Sequence, residues 1–163
     1  MTKYIYMDNN ATTPLHPEVK KAVEQSLDRY ENPSSMHSYA REVKDQIKLS
    51  RKHVAELIGA SPDEIVFTSC GSESNNQVLK QVLNQKYIYG KENSHIITSV
   101  IEHPCVLESC KYLEKMGIKV SYIPVDEDGI IDLKLLEKEI REETVLISVM
   151  AANNEIGVIQ PIK

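Results

Sequence analysis

The chain has 163 residues, of which 41% are hydrophobic and 26% charged, and its 19 basic and 24 acidic side chains give a net charge of −5. This composition is typical of a globular protein with about one domain and one core. The acidic balance argues against nucleic-acid binding through a basic face. No apolar stretch approaches the ~20 residues that a membrane span needs. The N-terminus reaches Asp8 before an apolar signal region could form, so a cytoplasmic protein is expected.

The three cysteines, Cys70, Cys105 and Cys110, are few and odd in number. A disulfide framework is therefore not expected. No pair has the Cys-x-x-Cys spacing of a zinc site, and His103 is the only histidine near Cys105. The sequence accordingly predicts no metal site.

The first part of the chain predicts two helices and a short strand. Pro14 and Pro17 open a helix whose apolar face comprises Val19, Ala22, Val23 and Leu27. A longer helix ends at Gly59, and its expected buried stripe comprises Val43, Ile47, Val54, Leu57 and Ile58. The apolar run at residues 65–67 is interpreted as a strand.

Beyond residue 70 the pattern alternates between helices and strands. Strands are predicted at residues 95–98, 118–122 and 145–150, and the last is so apolar that both faces should be covered. One helix follows Gly71, a second begins near Pro104, and a third is capped by Asp132. The inward residues expected for the first two are Val78, Leu79, Val82, Leu83, Leu107, Cys110 and Leu113. The alternation predicts an α/β fold with a mostly parallel sheet of roughly four strands flanked by helices.

In such sheets ligands bind beyond the carboxyl ends of the strands, so the residues after each apolar run are the candidates for chemistry. Residues 67–76 (Phe-Thr-Ser-Cys-Gly-Ser-Glu-Ser-Asn-Asn) pass from a strand through a small-residue turn into a helix. Amide groups and the dipole at a helix start favour phosphate, and the hydroxyls of Ser69 and Ser72 could add hydrogen bonds. The alternative is that Ser69 or Ser72 only caps the helix.

Three further polar clusters are candidates. His103 follows the strand at 95–98 and could stack on a flat ligand or act as an acid or base; the alternative is a capping histidine. Asn153 and Asn154 follow the last strand and could bind a ligand or simply form a turn. The polar loop around Ala11 could be turn structure or one wall of a site.

Five ordered segments resemble the motifs of the cysteine desulfurases, the NifS/IscS-like members of the class V aminotransferase group. They are residues 8–14 (Asp-Asn-Asn-Ala-Thr-Thr-Pro), 32–37 (Asn-Pro-Ser-Ser-Met-His), 67–76, 102–103 (Glu-His) and 153–157 (Asn-Asn-Glu-Ile-Gly). The resemblance implies the fold type I architecture of pyridoxal phosphate (PLP) enzymes, a truncated three-layer α/β/α large domain. Residues 1–163 would form an N-terminal segment with an entrance loop at about 1–15 and core βα units at about 60–163.

The resemblance also implies roles for individual residues. Gly71 and Ser72 resemble the pair that holds the cofactor phosphate, although most members carry Thr in place of Ser72 and Gly in place of Cys70. His103 resembles the histidine that stacks on the pyridine ring. Asn154 resembles the residue that hydrogen-bonds the cofactor and orients the substrate, and the loop around Ala11 resembles the substrate entrance.

Such enzymes use PLP to remove sulfur from L-cysteine, giving L-alanine and an enzyme persulfide for iron–sulfur cluster or thio-cofactor synthesis. Homodimers and a sulfur-acceptor or scaffold protein are the implied partners. The covalent lysine and the nucleophilic cysteine of the family are expected beyond Lys163, so no catalytic residue is assigned here and the isolated chain is expected to be inactive. The alternatives are a catalytically dead remnant that serves as a dimerisation module, and another class V member such as a selenocysteine lyase.

Overall fold

The computed structural model describes residues 4–162. The chain divides into two compact units, Met1–Phe67 and Thr68–Lys163. Residues 1–3 of the expected entrance loop, together with Lys163, lie outside the described residues. No helix among the residues described is both long and apolar enough to cross a membrane.

The first unit contains helices α1 (Pro17–Ser26) and α2 (Ser38–Ile58) and a single 3₁₀ turn at Pro62–Glu64. Gly59 ends α2 with φ 70°, a left-handed conformation that glycine adopts without strain, as its position in the sequence predicts. The expected buried stripe of α2 is wrong, because Leu57 is 85% exposed and Ala40 and Ala55 are the buried residues of the helix. The two helices described in this unit form no second layer of secondary structure that could bury the wider apolar stripe expected on α2.

The strand predicted at residues 65–67 is also wrong. Ile65 is buried with extended backbone, but the segment has no partner strand among residues 4–162. The Arg51 guanidinium donates instead to the Ile65 carbonyl and lies 5.0 Å from the centre of the Phe67 ring. A strand exists only where a neighbour completes its hydrogen-bond ladder, and here a side chain takes that position.

The second unit is a three-layer α/β/α structure. Its strands are β1 (His95–Ser99), β2 (Lys119–Ile123) and β3 (Thr144–Ser148), arranged in the order β2-β1-β3 with both pairings parallel. Helices α3 (Gly71–Lys80), α4 (Val82–Tyr87), α5 (Pro104–Lys115) and α6 (Leu133–Glu139) connect and cover them. The α/β fold class is thereby confirmed, with three strands in the described residues rather than four.

The two faces of β1 carry two separate cores. Ile96 packs into a cluster formed mainly by α3, α4 and α5, whose buried members include Leu79, Val82, Val106, Cys110 and Leu113. Ile97 points the other way and packs with Ile123, Ile131 and the half-buried leucines of α6. The central strand β1 is therefore the one covered on both faces. The sequence assigns that property to β3, which is wrong because β3 lies at the edge and Ile147 is 43% exposed.

Two helix details differ from the sequence expectation. The helix after Gly71 is interrupted at Gln81, so that Val82 and Leu83 belong to a separate short helix, α4. On α5, Cys110 and Leu113 are buried as expected, but Leu107 is half-buried and Val106 takes the inner position. The inward face of α5 is thus predicted correctly in its second half, and only its first inward position differs by one residue.

Candidate functional site

The candidate site lies at the carboxyl edge of the sheet, where three segments are joined by hydrogen bonds. These segments are the start of α3, the β1–α5 loop and the hairpin after β3. The Asn75 amide donates to the Cys105 sulfur (3.3 Å) and the Ser109 hydroxyl to the Asn76 side chain (3.0 Å), which connects α3 to α5. The Asn153 side-chain amide donates to the Ile101 carbonyl (2.9 Å), which connects the hairpin to the β1–α5 loop.

The start of α3 favours an anion. Cys70 is the N-cap residue and is exposed, and the backbone amide of Glu73, followed by the Ser69 hydroxyl, lowers the pKa of its thiol. The first amides of a helix have no partner within the helix, and the helix dipole adds to their attraction for negative charge. The lowered pKa of the Cys70 thiol is consistent in direction with the anion-binding character expected for this turn, which stays a prediction.

Ser69 and Ser72 have different environments in this turn. The Glu73 carboxylate accepts hydrogen bonds from both the amide (2.6 Å) and the hydroxyl (2.7 Å) of Ser69, and these bonds lower the pKa of Glu73. Ser72 is exposed, and its hydroxyl makes no hydrogen bond within residues 4–162. The alternative that one of these serines caps α3 is wrong, because Cys70 occupies that position. Open space adjoins Gly71, where an added Cβ would meet nothing within 4 Å.

His103 is the N-cap residue of α5. Its Nδ1 accepts a hydrogen bond from the Cys105 amide (3.1 Å), and the ring is otherwise exposed. An accepting Nδ1 places the proton of the neutral ring on Nε2, at the far side from the helix. The capping role left open by the sequence is thus real, and it holds the ring in one orientation at the strand end.

The side chains of Asn153 and Asn154, at the tip of the hairpin, differ in their hydrogen bonding. The Asn153 side-chain oxygen accepts from the amides of Glu155 (2.8 Å) and Ile156 (3.1 Å), so Asn153 builds the turn. Asn154 is exposed, and its side chain makes no hydrogen bond in the described part of the chain. The turn alternative therefore holds for Asn153, and a ligand-binding role for Asn154 stays a prediction.

Buried Gln160 holds the base of this hairpin. Its amide nitrogen donates to the Gly129 carbonyl (2.7 Å) and its oxygen accepts from the Ile131 amide (2.9 Å). Gly129 has φ 81°, and a Cβ there would lie 2.9 Å from the Ile156 side chain, so glycine is required at this close approach. Gln160 was not identified from the sequence, although it lies between the apolar residues Ile159 and Pro161.

The sequence analysis also missed the role of Glu102, which precedes His103. Its side chain is buried, and Oε1 accepts hydrogen bonds from the Ser99 hydroxyl (2.9 Å) and the Met150 amide (2.7 Å). A glutamate three residues after a buried strand is a signal that could have identified it, because buried carboxylates require partners.

Two other predicted residues belong to the first unit and to the core of the second unit, respectively. Ala11 belongs to the first unit, in a turn where its amide donates to the Asp8 carbonyl (3.2 Å), and its role at an entrance stays a prediction. Cys110 is fully buried, and burial raises the pKa of its thiol to about 11. Among the described residues, no group of three or more His, Cys, Asp or Glu side chains could hold a metal ion.

The family can now be assigned, because the profile of the class-V aminotransferases matches residues 5–163. The chain belongs to the class-V aminotransferase family. The resemblance that the five ordered motifs indicate is thereby confirmed, and the match includes all three segments of the carboxyl edge.

Curated relatives of this class-V aminotransferase chain extend well beyond it. It is 46% identical over 164 residues to the cysteine desulfurase IscS of Dictyoglomus turgidum and 47% identical over 165 residues to that of Rickettsia typhi. Each comparison covers 100% of this chain but only 41% and 40%, respectively, of the relative. The chain therefore spans about two fifths of the length of these relatives.

Solved structures agree with this assignment. A NifS-like protein is 45% identical, with a TM-score of 0.87 over 94% of this chain and 42% of that one. A structure described as SspA in complex with cysteine is 38% identical, with a TM-score of 0.85 over 93% of this chain and 43% of that one. Both the fold and the sequence of the class-V chain are thus shared with longer proteins.

Proposed function

We propose that this chain is the N-terminal portion of a PLP-dependent cysteine desulfurase, which converts L-cysteine to L-alanine and passes the sulfur on as an enzyme persulfide. The observation that carries the proposal is the carboxyl edge, where free polar groups from three segments converge on the place at which parallel sheets bind ligands. The similarity of the whole chain to proteins named cysteine desulfurase supports it.

The start of α3 fits the phosphate of PLP. The turn has open space beside Gly71, a free hydroxyl on Ser72 and a helix amide, that of Glu73, which lowers the pKa of the Cys70 thiol. We assign Gly71 and Ser72 to the phosphate. The Glu73 carboxylate of the same turn is negatively charged like the phosphate, and its hydrogen bonds to Ser69 hold it in place.

His103 and Asn154 are assigned to the ring of the cofactor. The cap that His103 forms holds its imidazole in a fixed orientation, which suits stacking against a flat pyridine ring. Asn154 has a free amide that can both donate and accept, so it can hydrogen-bond the cofactor and orient the substrate. Ala11 is assigned to the substrate entrance. Bound PLP supplies an electron sink for the carbon–sulfur cleavage.

The partners and setting follow from the same proposal. The substrate is L-cysteine, the protein works as a cytoplasmic homodimer, and an acceptor or scaffold protein receives the sulfur for iron–sulfur cluster or thio-cofactor synthesis. The covalent lysine and the nucleophilic cysteine that the resemblance implies are proposed to lie in the part of the complete protein that follows Lys163. The isolated chain is therefore proposed to be inactive.

The test uses the complete product of the gene, loaded with PLP and supplied with L-cysteine. We expect bound cofactor in the visible spectrum and L-alanine among the products, measured by chromatography. A product that binds no PLP and forms no alanine, yet self-associates, would contradict the proposal and favour the dimerisation module. A strong preference for L-selenocysteine over L-cysteine would favour a selenocysteine lyase.

A matched pair of variants separates capping from stacking. Asparagine is among the best N-cap residues, so His103→Asn retains a cap on α5 and removes the ring. We expect this variant to keep its thermal stability, to shift the visible spectrum of the bound cofactor and to lose activity. His16→Asn is the control, because His16 caps α1 through the same ring nitrogen, in the first unit.

A further inference from the structure

The polar groups around Glu102 form a tether between two loops of the candidate site. The carboxylate accepts the Ser99 hydroxyl at the end of β1 and the Met150 amide just after the end of β3. Ser99 is fully buried, and Glu102 is 7% exposed although the adjoining His103 is exposed. A buried carboxylate with two donors is held rigidly, because losing either bond leaves a desolvated polar group.

A second hydrogen bond, formed by a side chain of the hairpin with the backbone of the β1–α5 loop, completes the connection between these two segments. Asn153, in the hairpin after β3, donates its side-chain amide to the Ile101 carbonyl in the β1–α5 loop. Each loop therefore contributes one side chain that bonds to the backbone of the other. Together the two bonds fix the β1–α5 loop against the hairpin at the points where His103 and Asn154 emerge.

We propose that Glu102 is a positioning residue, whose carboxylate sets the placement of His103 relative to Asn154 and thereby the seating of the cofactor ring. The inference rests on the proposed function, in which both residues contact that ring. Glu102 touches neither cofactor nor substrate in this account. It acts through Met150, which lies 48 residues away in sequence, and through its chain neighbour His103.

The first experiment uses two substitutions in the complete, PLP-loaded gene product. Glu102→Ala removes both bonds, whereas Glu102→Gln keeps an oxygen that can accept them. We expect Glu102→Ala to change the visible circular dichroism of bound PLP and to lower kcat about tenfold with KM changed less than about twofold, as misplacement of bound groups does. In Glu102→Gln, the visible circular dichroism and kcat should both stay within about threefold of the parent values. The reason is that this substitution removes only the charge of the acceptor.

The control and the second readout keep structural damage separate from positioning. Glu108→Ala on α5 removes an exposed glutamate that pairs with Lys111, and it should leave spectrum and kinetics unchanged. If Glu102→Ala fails to fold, Ser99→Ala removes only one of the two donors and should shift the circular dichroism in the same direction. Amide exchange of the segment around Met150 should speed up in Glu102→Ala and not in Glu108→Ala.

The outcomes discriminate between the two proposals. A parent protein that shows no visible PLP band overturns the proposed function. A parent with a normal band, together with a folded Glu102→Ala or Ser99→Ala whose visible circular dichroism is unchanged, overturns the role of Glu102 alone. Failure of Glu102→Gln to restore the signal would also overturn it, because the tether requires only an acceptor oxygen.

Discussion

The two edges of the parallel sheet use similar residues in opposite ways. At the carboxyl edge, Ser72, His103 and Asn154 are exposed, and the hydroxyl and amide of the serine and asparagine stay free within residues 4–162. At the amino edge, His95 is 1% exposed and both ring nitrogens are engaged, Nδ1 with the Thr144 hydroxyl (2.9 Å) and Nε2 with the Ser121 hydroxyl (3.0 Å). A histidine and hydroxyl groups thus occur at both edges, but His95 at the amino edge has both ring nitrogens bonded, whereas the Ser72 hydroxyl and the Asn154 amide stay free within residues 4–162.

The hydrogen bonds of the amino edge form one connected network. Glu139 can only accept, so the Ser121 hydroxyl donates to it (2.6 Å) and accepts in turn from His95 Nε2–H. In the neutral ring, His95 Nδ1 accepts from the Thr144 hydroxyl, whose oxygen receives the Arg141 amide (2.8 Å). The network joins all three strands. Structural polar clusters therefore differ from candidate binding groups in whether their hydrogen-bonding atoms already have partners, and not in residue type.

Removing the His95 side chain from the amino edge should produce the largest effect, a loss in the free energy of unfolding. His95→Ala leaves Thr144 and Ser121 without their buried partner and opens a cavity, so we expect a loss of about 3 kcal/mol in unfolding free energy. Urea denaturation of the complete gene product measures it. His53→Ala, an exposed histidine on α2, should change stability by less than about 0.5 kcal/mol. Equal effects of the two substitutions would contradict the structural role of His95.

Cysteine labelling tests whether the start of α3 attracts negative charge. Cys70 is exposed with a lowered pKa, whereas burial raises the pKa of Cys110 to about 11. Since thiolates are the reactive species, Cys70 should react with iodoacetamide at neutral pH at least about 100-fold faster than Cys110. Mass spectrometry of timed samples gives both rates in one experiment, and comparable rates would show that the turn does not stabilise an anion.

The carboxyl edge should respond to a small change that leaves the fold intact. Ser72→Ala removes one hydroxyl donor to phosphate, and we expect PLP to bind about tenfold more weakly to the complete gene product. Pyridoxal, which lacks the phosphate, should bind the variant and the parent equally. Ser50→Ala is the control, since the Ser50 hydroxyl bonds only to the backbone of its own helix. Equal weakening for pyridoxal would assign Ser72 to something other than the phosphate.

The smallest expected effect is a pH dependence of stability that originates at the amino edge. Burial, followed by the positive charge of Arg141, lowers the pKa of His95; Lys119 acts in the same direction, and Glu139 and Glu143 oppose it. The unfolded chain therefore takes up a proton more readily than the folded one. The stabilisation should be complete above the unfolded pKa of about 6.5 and should decline as the pH falls below it, towards the lowered folded pKa.

The decline can be assigned to His95 with one further variant. His95→Gln should flatten this part of the stability profile, measured by urea denaturation between about pH 8 and about pH 5. A slope that persists unchanged in His95→Gln would assign the effect to other groups.

The strands of the second unit and several helix ends could be predicted from the sequence, because their causes are local. Gly59 and Asp132 mark a helix end and a helix start through the conformations and caps of single residues. The apolar runs of the three paired strands are likewise visible along the chain. The strand expected at 65–67 failed for the opposite reason, since a strand needs a partner that the sequence pattern does not name.

By itself, the sequence determined the α/β architecture, the order of the polar segments at the strand ends and the family of the chain. Tertiary structure alone decided which polar groups are hydrogen-bonded within the chain and which stay free. Asn153 rather than Asn154 builds the turn, and Glu102 bonds to Met150, 48 residues away in sequence. The physical reason is that local patterns are set by backbone geometry, whereas the fate of a polar group depends on what distant strands bring within hydrogen-bonding distance.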